Sequence, residues 1–431
     1  MKDSSDAPRR AFLRAAGAAA GASLLSRRIL GANDRLVGGF IGMGRMGMAN
    51  LGFAQQMENV VIKAVCDVYE PHLQQAVDAT GRKAKAVRDF REILADKEID
   101  FVCISTPDHW HAYMTVEACK AGKDVYVEKP LCVTVEEGVQ MVAAARKYQR
   151  VVQAGTMQRS GIHFQQAAAM VARGDLGKVT MVHTWNYGNQ PPAGIGTPPD
   201  SDPPPGLDWD MWLGPAPKRP FNKNRFGVDA KAFSHFRWFW DYAGGMMTDW
   251  GVHWLDIVQM AFGEAMPRAV TALGGKLLMR DNRETPDTIH VTYEYPGFLA
   301  TYENRSGNAQ SMFGKSGGIL FYGTRGTLFV DRSGYRLVPE KGSDLVETEV
   351  GRFNNMNLAH WEDFIDSIRT RRRPVSDIET CQRSTTTCIL GNIALLSRMR
   401  IDWDAEQWTT LQVEARSLLA RPARDPWKIV V

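Results

Sequence analysis

No Cys-x-x-Cys pair occurs in this 431-residue sequence, although it carries six cysteines: Cys66, Cys103, Cys119, Cys132, Cys381 and Cys388. Zinc-ribbon and dithiol-redox readings are thereby removed, and several of the six sit in apolar, strand-like runs as small core side chains. Neither a structural disulfide nor a zinc or other metal site is expected. Lysine and arginine form no stripe. The formal net charge of +4 is carried by residues 1–30 alone, where six basic side chains face two acidic ones, so the rest of the chain is neutral. A neutral body lacks the positive footprint that phosphate-backbone binding requires, and nucleic acid is not an expected partner. No internal repeat is visible. With 44% hydrophobic and 23% charged residues, the composition is that of a globular enzyme, and the length suits two domains behind a leader.

The leader is read over residues 1–33. Arg9-Arg10-Ala11-Phe12-Leu13-Arg14 is a twin-arginine pattern, followed by an Ala/Gly-rich apolar run from Ala15 to Leu25 that is too short to span a bilayer. Such an address sends an already folded protein across the membrane, which suits an enzyme that takes up its cofactor in the cytoplasm. A periplasmic or otherwise exported location follows as an expectation, with no stable membrane insertion after processing. No Ala-x-Ala cleavage site marks the mature start.

A dinucleotide-binding domain is expected over residues 34–157. Leu36 to Ile41 reads as a buried strand running into Gly42-Met43-Gly44-Arg45-Met46-Gly47, a G-x-G-x-x-G that opens a helix. Gly42 would allow the tight turn, Gly44 the approach of a pyrophosphate, and Gly47 close packing of helix on strand. The helix start, at Arg45 and Met46, offers free N–H groups to the phosphates. A second strand, Val60 to Val65, ends in Cys66-Asp67. Asp67 is placed to accept from the adenosine ribose and to repel a 2′-phosphate, which favours NAD over NADP.

Further βα units continue the pattern of a parallel sheet. Ile99 to Ile104 precedes Ser105-Thr106-Pro107-Asp108-His109-Trp110-His111, and Asp124 to Val127 delivers Glu128-Lys129-Pro130. Loops at the carboxyl ends of such strands face the cofactor, so Ser105, Thr106, Pro107, His111, Glu128 and Lys129 join the cofactor-binding set. His109 and His111 have the spacing of a metal pair but no acidic or histidine partners at metal-site spacing.

Taken together, Gly42-x-Gly44-x-x-Gly47, Thr106-Pro107 with His111, Glu128-Lys129-Pro130 and Asp249-x-Gly251-x-His253-x-x-Asp256 resemble the Gfo/Idh/MocA oxidoreductases over roughly residues 34–405. Arg237 to His253, preceded by Trp209 to Pro215, looks like the exported branch of that family. The resemblance implies a second domain, residues 158–431, of the α+β class with an open, mostly antiparallel sheet whose outer face often forms a dimer interface. A homo-oligomer is therefore expected. It also implies Lys129, Asp249 and His253 as the catalytic set.

Residue chemistry supports that set independently. Met246 to Ala261 has helical apolar spacing, so Asp249 and His253 share one face. A histidine can take a hydroxyl proton, a neighbouring carboxylate can fix its tautomer, and Lys129 can stabilise developing alkoxide charge. Asp256 reads instead as a hydrogen-bonding group on the helix face. Six of the twelve tryptophans, Trp209, Trp212, Trp238, Trp240, Trp250 and Trp254, crowd into one stretch and suggest a surface for sugar C–H faces. Arg159, Asn186, His235, Arg237, Trp240 and His253 are the candidate substrate-binding residues. Pro191 to Gly206 is too rich in proline and glycine for regular structure and reads as a long loop. Met356 to Thr370 and Ile378 to Arg398 read as helices, and Val291 to Tyr295 and Leu299 to Asn304 as strands. The expected activity is NAD-dependent hydride transfer at a sugar or polyol carbon, with the cofactor tightly held. The alternatives are a redox-neutral, NAD-retaining hydrolase or lyase, and a non-catalytic nucleotide or sugar sensor.

Overall fold

The computed structural model describes residues 35–227 and 234–431; the leader expected over residues 1–33 lies outside them. Strands β1 (Leu36–Ile41), β2 (Val60–Cys66), β4 (Phe101–Ile104) and β5 (Asp124–Val127) are apolar and buried toward their carboxyl ends, as strands covered by helices on both faces must be. With β3 (Lys85–Val87) and β6 (Val152–Ala154) they form a six-stranded sheet in the order β3-β2-β1-β4-β5-β6. The register of its pairs is parallel. Because the order reverses between β1 and β4, the loops after those strands part and leave a crevice. Helices Arg45–Ala54, Glu70–Ala79, Phe90–Ala95, His111–Lys120 and Val135–Lys147 connect the strands. The last opens with a capping box between Thr134 and Glu137.

The second sheet has ten strands: β7 (Val179–Tyr187), β10 (Ala269–Gly275), β11 (Thr288–Tyr295), β12 (Phe298–Arg305), β13 (Gly317–Gly323), β14 (Gly326–Asp331), β15 (Gly334–Pro339), β16 (Thr348–Gly351), β17 (Ile401–Asp404) and β18 (Thr409–Thr410). Their order is β16-β15-β14-β13-β7-β12-β11-β10-β17-β18. Only β7 and β12 pair in parallel, so the sheet is mixed but mostly antiparallel. Alternation sorts its two faces. Val182, Val291, Tyr293, Tyr302, Phe321 and Val330 are buried in the main core, against helices Gly251–Ala261 and Ile378–Ser397. On the other face the register groups Met181, Leu299 and Tyr322, with Leu273 two strands away, and all four are exposed.

Two features depart from the sequence reading, and a third, the packing of a correctly read helix, was not addressed by it. The helix expected from Met246 to Ala261 is two helices, Gly245–Asp249 and Gly251–Ala261, meeting at Trp250. The expected loop from Pro191 to Gly206 contains one short strand, β8 (Asp200–Ser201), paired with β9 (Phe221–Asn222). Helix Met356–Thr370 returns to cover the first sheet: Trp361 stacks on Phe40 at 5.9 Å and on Tyr126 at 4.7 Å. Among the described residues, all six cysteines are buried free thiols, no helix is long and apolar enough to cross a membrane, and no group of three His, Cys, Asp or Glu side chains is placed to hold a metal ion.

Candidate active site

Two of the three glycines after β1 are required by geometry. Gly42 has φ +83°, and a Cβ there would stand 2.7 Å from the Thr106 nitrogen; one at Gly47 would stand 1.9 Å from the Gly42 oxygen. Gly44 differs. Nothing lies within 4 Å of its missing Cβ, and it faces a cavity that runs between the two sheets' domains. Helix Arg45–Ala54 has no side-chain cap, which leaves its first N–H groups to an anion. Asp67, on the same cavity wall, accepts from the backbone N–H of Met43 at 2.7 Å and of Tyr69 at 2.8 Å. A carboxylate offers about four acceptor positions, so capacity remains for ribose hydroxyls. These residues fit a dinucleotide.

Arg45, Met46, Ser105, Thr106, Pro107, His111, Glu128 and Lys129 line the same cavity, whereas Gly47 serves packing behind it. His111 braces the wall, because its ring nitrogens contact the carbonyl oxygens of Thr106 at 2.9 Å and Pro130 at 2.8 Å. His109 turns elsewhere, to the Trp212 carbonyl. Glu128 is positioned by Asn50, which donates to its Oε1 at 2.9 Å and to Ser105 Oγ at 3.1 Å. Asn50 in turn accepts from the Trp361 indole at 3.2 Å. The sequence reading missed Asn50; its signal was a polar side chain on the buried face of the first helix.

At the far end, Lys129 Nζ donates to Asp249 Oδ1 at 2.7 Å and to the Asp249 carbonyl at 3.0 Å. Arg237 Nε reaches the same carboxylate oxygen at 2.9 Å. This corrects the expected role of Asp249. It holds two cations and makes no hydrogen bond to His253, whose Nδ1 has no hydrogen-bond partner among the described residues. His253 is instead positioned by its backbone oxygen, which accepts from Gln158 at 2.7 Å, and by the edge of Trp250. Burial alone would raise the Asp249 pKa, but Lys129 and Arg237 outweigh it and hold the carboxyl below its usual range. Burial, then the charges of Lys129, Arg332 and Arg237, push His253 well down, so its imidazole is neutral. Asp108, also missed, lies beside these groups; burial pushes its carboxyl up to about 7 against the pull of Arg237 and Lys129.

Of the candidate substrate residues, Arg237 and His253 line the cavity; Arg159, Asn186, His235 and Trp240 do not. Arg159 is 3% exposed and fully engaged, with Nε on the Asp256 carboxylate at 2.8 Å and Nη1 on Glu264 at 2.7 Å. It is a structural cation, and Asp256 is its buried counter-ion. The tryptophan cluster is mostly a core of its own: Trp209 stacks on Trp212 at 4.7 Å, and Trp212 and Trp238 pack with Phe221, Phe226 and Tyr242. Only Trp212 and Trp250 of the six reach the cavity.

Comparison with known proteins follows the same division of the chain. The family described as "Oxidoreductase family, NAD-binding Rossmann fold" matches residues 37–156, and its companion "Oxidoreductase family, C-terminal alpha/beta domain" matches residues 179–429. Inositol 2-dehydrogenase of Salmonella typhimurium is 32% identical over 154 residues, which is 35% of this chain and 46% of that protein. The aligned stretch thus spans less than half of that relative's length. A glycosyl hydrolase family 109 protein of Shewanella baltica is 38% identical over 120 residues, 26% of each chain. The crystal structure of aldose-aldose oxidoreductase from Caulobacter crescentus superposes with a TM-score of 0.65 at 20% identity, covering 86% of this chain and all of the other.

Proposed function

The chain belongs to the Gfo/Idh/MocA family of oxidoreductases, and from that premise we propose that it oxidises a hydroxyl-bearing carbon of a sugar or polyol with NAD, or in reverse reduces the corresponding carbonyl with NADH. When bound, NAD supplies the hydride-accepting nicotinamide. Gly44 and the uncapped start of helix Arg45–Ala54 would hold its pyrophosphate, and Asp67 would accept from its adenosine ribose. The observation that carries the reading is the meeting of Lys129 with Asp249 beside His253, in the cavity that Gly44 and Asp67 also line. Asp249 orients Lys129 and keeps its ammonium aimed at the site, where it steadies negative charge on a substrate oxygen. The neutral His253 imidazole takes the hydroxyl proton. Reduction of NAD across a panel of sugars and polyols tests this directly. Replacing His253 by Ala should lower turnover by on the order of 10²–10⁴ with nucleotide binding nearly intact. Near-normal turnover would move the base elsewhere.

A redox-neutral second reading is supported by the family 109 glycosyl hydrolase relatives. In it the protein keeps its NAD, and each hydride taken from a substrate is returned either to an intermediate of that substrate, after hydrolysis or elimination, or to a second sugar, which is reduced while the first stays oxidised. Export of the folded protein through Arg9-Arg10 belongs to this reading, since no regenerating NAD pool is expected outside the cytoplasm. Nucleotide released on heat denaturation, together with solvent deuterium beside the reacting carbon, would support it; an apo protein that continuously reduces added NAD would end it. Self-association through the sheet face bearing Met181, Leu273, Leu299 and Tyr322 completes the proposal, and molar mass in solution measures it.

A further inference from the structure

Arg332 sits in the turn between β14 and β15, and its side chain lines the cavity beside Trp250 and His253. Two contacts fix its guanidinium. Nε donates to Gln158 Oε1 at 2.9 Å, and the guanidinium carbon stands 4.6 Å from the centre of the Trp250 ring. The same Gln158 donates from Nε2 to the His253 carbonyl oxygen, so one glutamine holds both the arginine and the candidate base. Stacking and a single hydrogen bond leave the outer nitrogens of the fork uncommitted. Nη2 is buried and has no hydrogen-bond partner among the described residues.

The buried arginines Arg159 and Arg283 are matched by carboxylates, Asp256 with Glu264 and Asp281 respectively, and the half-buried Arg237 by Asp249. Among the described residues none lies within ion-pair distance of Arg332. Asp249, the carboxylate whose charge reaches Arg332, is already held by Lys129 and Arg237. A desolvated guanidinium donor without an acceptor is costly, and the planar fork suits a carboxylate.

We propose that the substrate of this site carries a carboxylate, as a uronic or aldonic acid does, and that Arg332 receives it while the reacting hydroxyl faces Lys129 and His253. The inference rests on the oxidoreductase reading and narrows its substrate class. Neutral sugars offer Arg332 only hydroxyl and ring oxygens, without the negative charge and paired acceptors that a guanidinium fork matches best.

The experiment is a binding titration of the full, NAD-loaded protein, read by calorimetry and by tryptophan fluorescence. The probes are the uronates and aldonates of glucose, galactose and mannose, with their parent sugars and 6-phosphates. At least one acid should bind about tenfold or more tighter than its parent sugar. Arg332→Gln should bring that acid to the level of the parent sugar, and Arg332→Lys should restore part of the preference. The inference is overturned if parent sugars bind as tightly as the acids, if no acid binds, if a 6-phosphate binds tighter than every acid, or if Arg332→Gln leaves acid binding unchanged. Equal melting temperatures for the three proteins exclude misfolding as the cause of a loss. Turnover is followed separately by nicotinamide absorbance. An acid that binds through Arg332 without turnover sinks the hydride-transfer reading alone, whereas turnover confined to neutral sugars sinks the carboxylate alone.

Discussion

Asp67 and Asp108 show how little of a residue's role lies in its type. Both are aspartates on the cavity wall, yet Asp67 accepts from two backbone N–H groups with acceptor capacity to spare while Asp108 is buried where its charge is opposed. Replacing Asp67 by Ser should weaken NAD and relatively favour NADP in titrations of both nucleotides; an unchanged preference would take Asp67 away from the ribose. For Asp108 the pH response has a definite sign. Its carboxyl rises from an ordinary 3.8 to about 7 on folding, so between those values the folded protein keeps a proton that the unfolded chain has released. The stability that this proton confers is complete below the unfolded value and is lost as pH rises through about 7. Asp108→Asn should therefore raise the melting temperature of the ligand-free protein more at pH about 8 than at pH about 5. A difference that stays flat between those two conditions would contradict the raised value.

Elements whose cues are local were legible in the sequence. The strand–glycine–helix unit at Leu36–Ala54 declares itself through spacing, because its turn, its glycines and its helix start follow one another within twenty residues and Gly47 answers Gly42 directly, even though the Thr106 backbone that also crowds Gly42 is distant in the chain. Helix Met356–Thr370 was also legible, from apolar spacing that stops at Arg371. Its destination was not: a stripe of Trp361, Phe364 and Ile368 says that the helix is buried, and nothing in it says that Phe40 and Tyr126 of the first sheet are the partners. Arg159 fails for the same reason. Its sequence neighbours carry no hint of Asp256 and Glu264, about a hundred residues on, so it read as a cation for substrate. Trp209 and Trp212 read as a sugar platform, but they stack on each other and only Trp212 reaches the cavity. The Arg159 bridge fixes the segment Met157–Ser160 against helix Gly251–Ala261. Arg159→Met should destabilise the protein by about 3–5 kcal/mol, because it strands a buried carboxylate. Chemical denaturation would measure this, and a loss below about 1 kcal/mol would mean that Asp256 finds protons or other donors.

At the scale of the whole molecule, the cavity has one wall from each sheet's domain, and among the contacts that join the walls Lys129 and Asp249 form an ion pair. Lys129 follows the fifth strand of the parallel sheet, and Asp249 belongs to the helices that back the mixed sheet. The pair is buried, so parting the walls would take the Lys129 ammonium away from the Asp249 carboxylate, which would keep only Arg237 from its own side. Breaking one side of such a buried pair costs about 3–5 kcal/mol, and each 1.4 kcal/mol is about tenfold in rate. The bond that aims the lysine is thus also a clasp with a dwell time. Lys129→Met should release bound nucleotide at least about tenfold faster in a chase with excess unlabelled NAD, even with no substrate present. Unchanged release would mean that the cofactor leaves without the walls parting. If Lys129→Met does speed release, departure of the nucleotide would be the slowest clock in this protein, and many encounters with substrate would pass between one arrival of cofactor and the next.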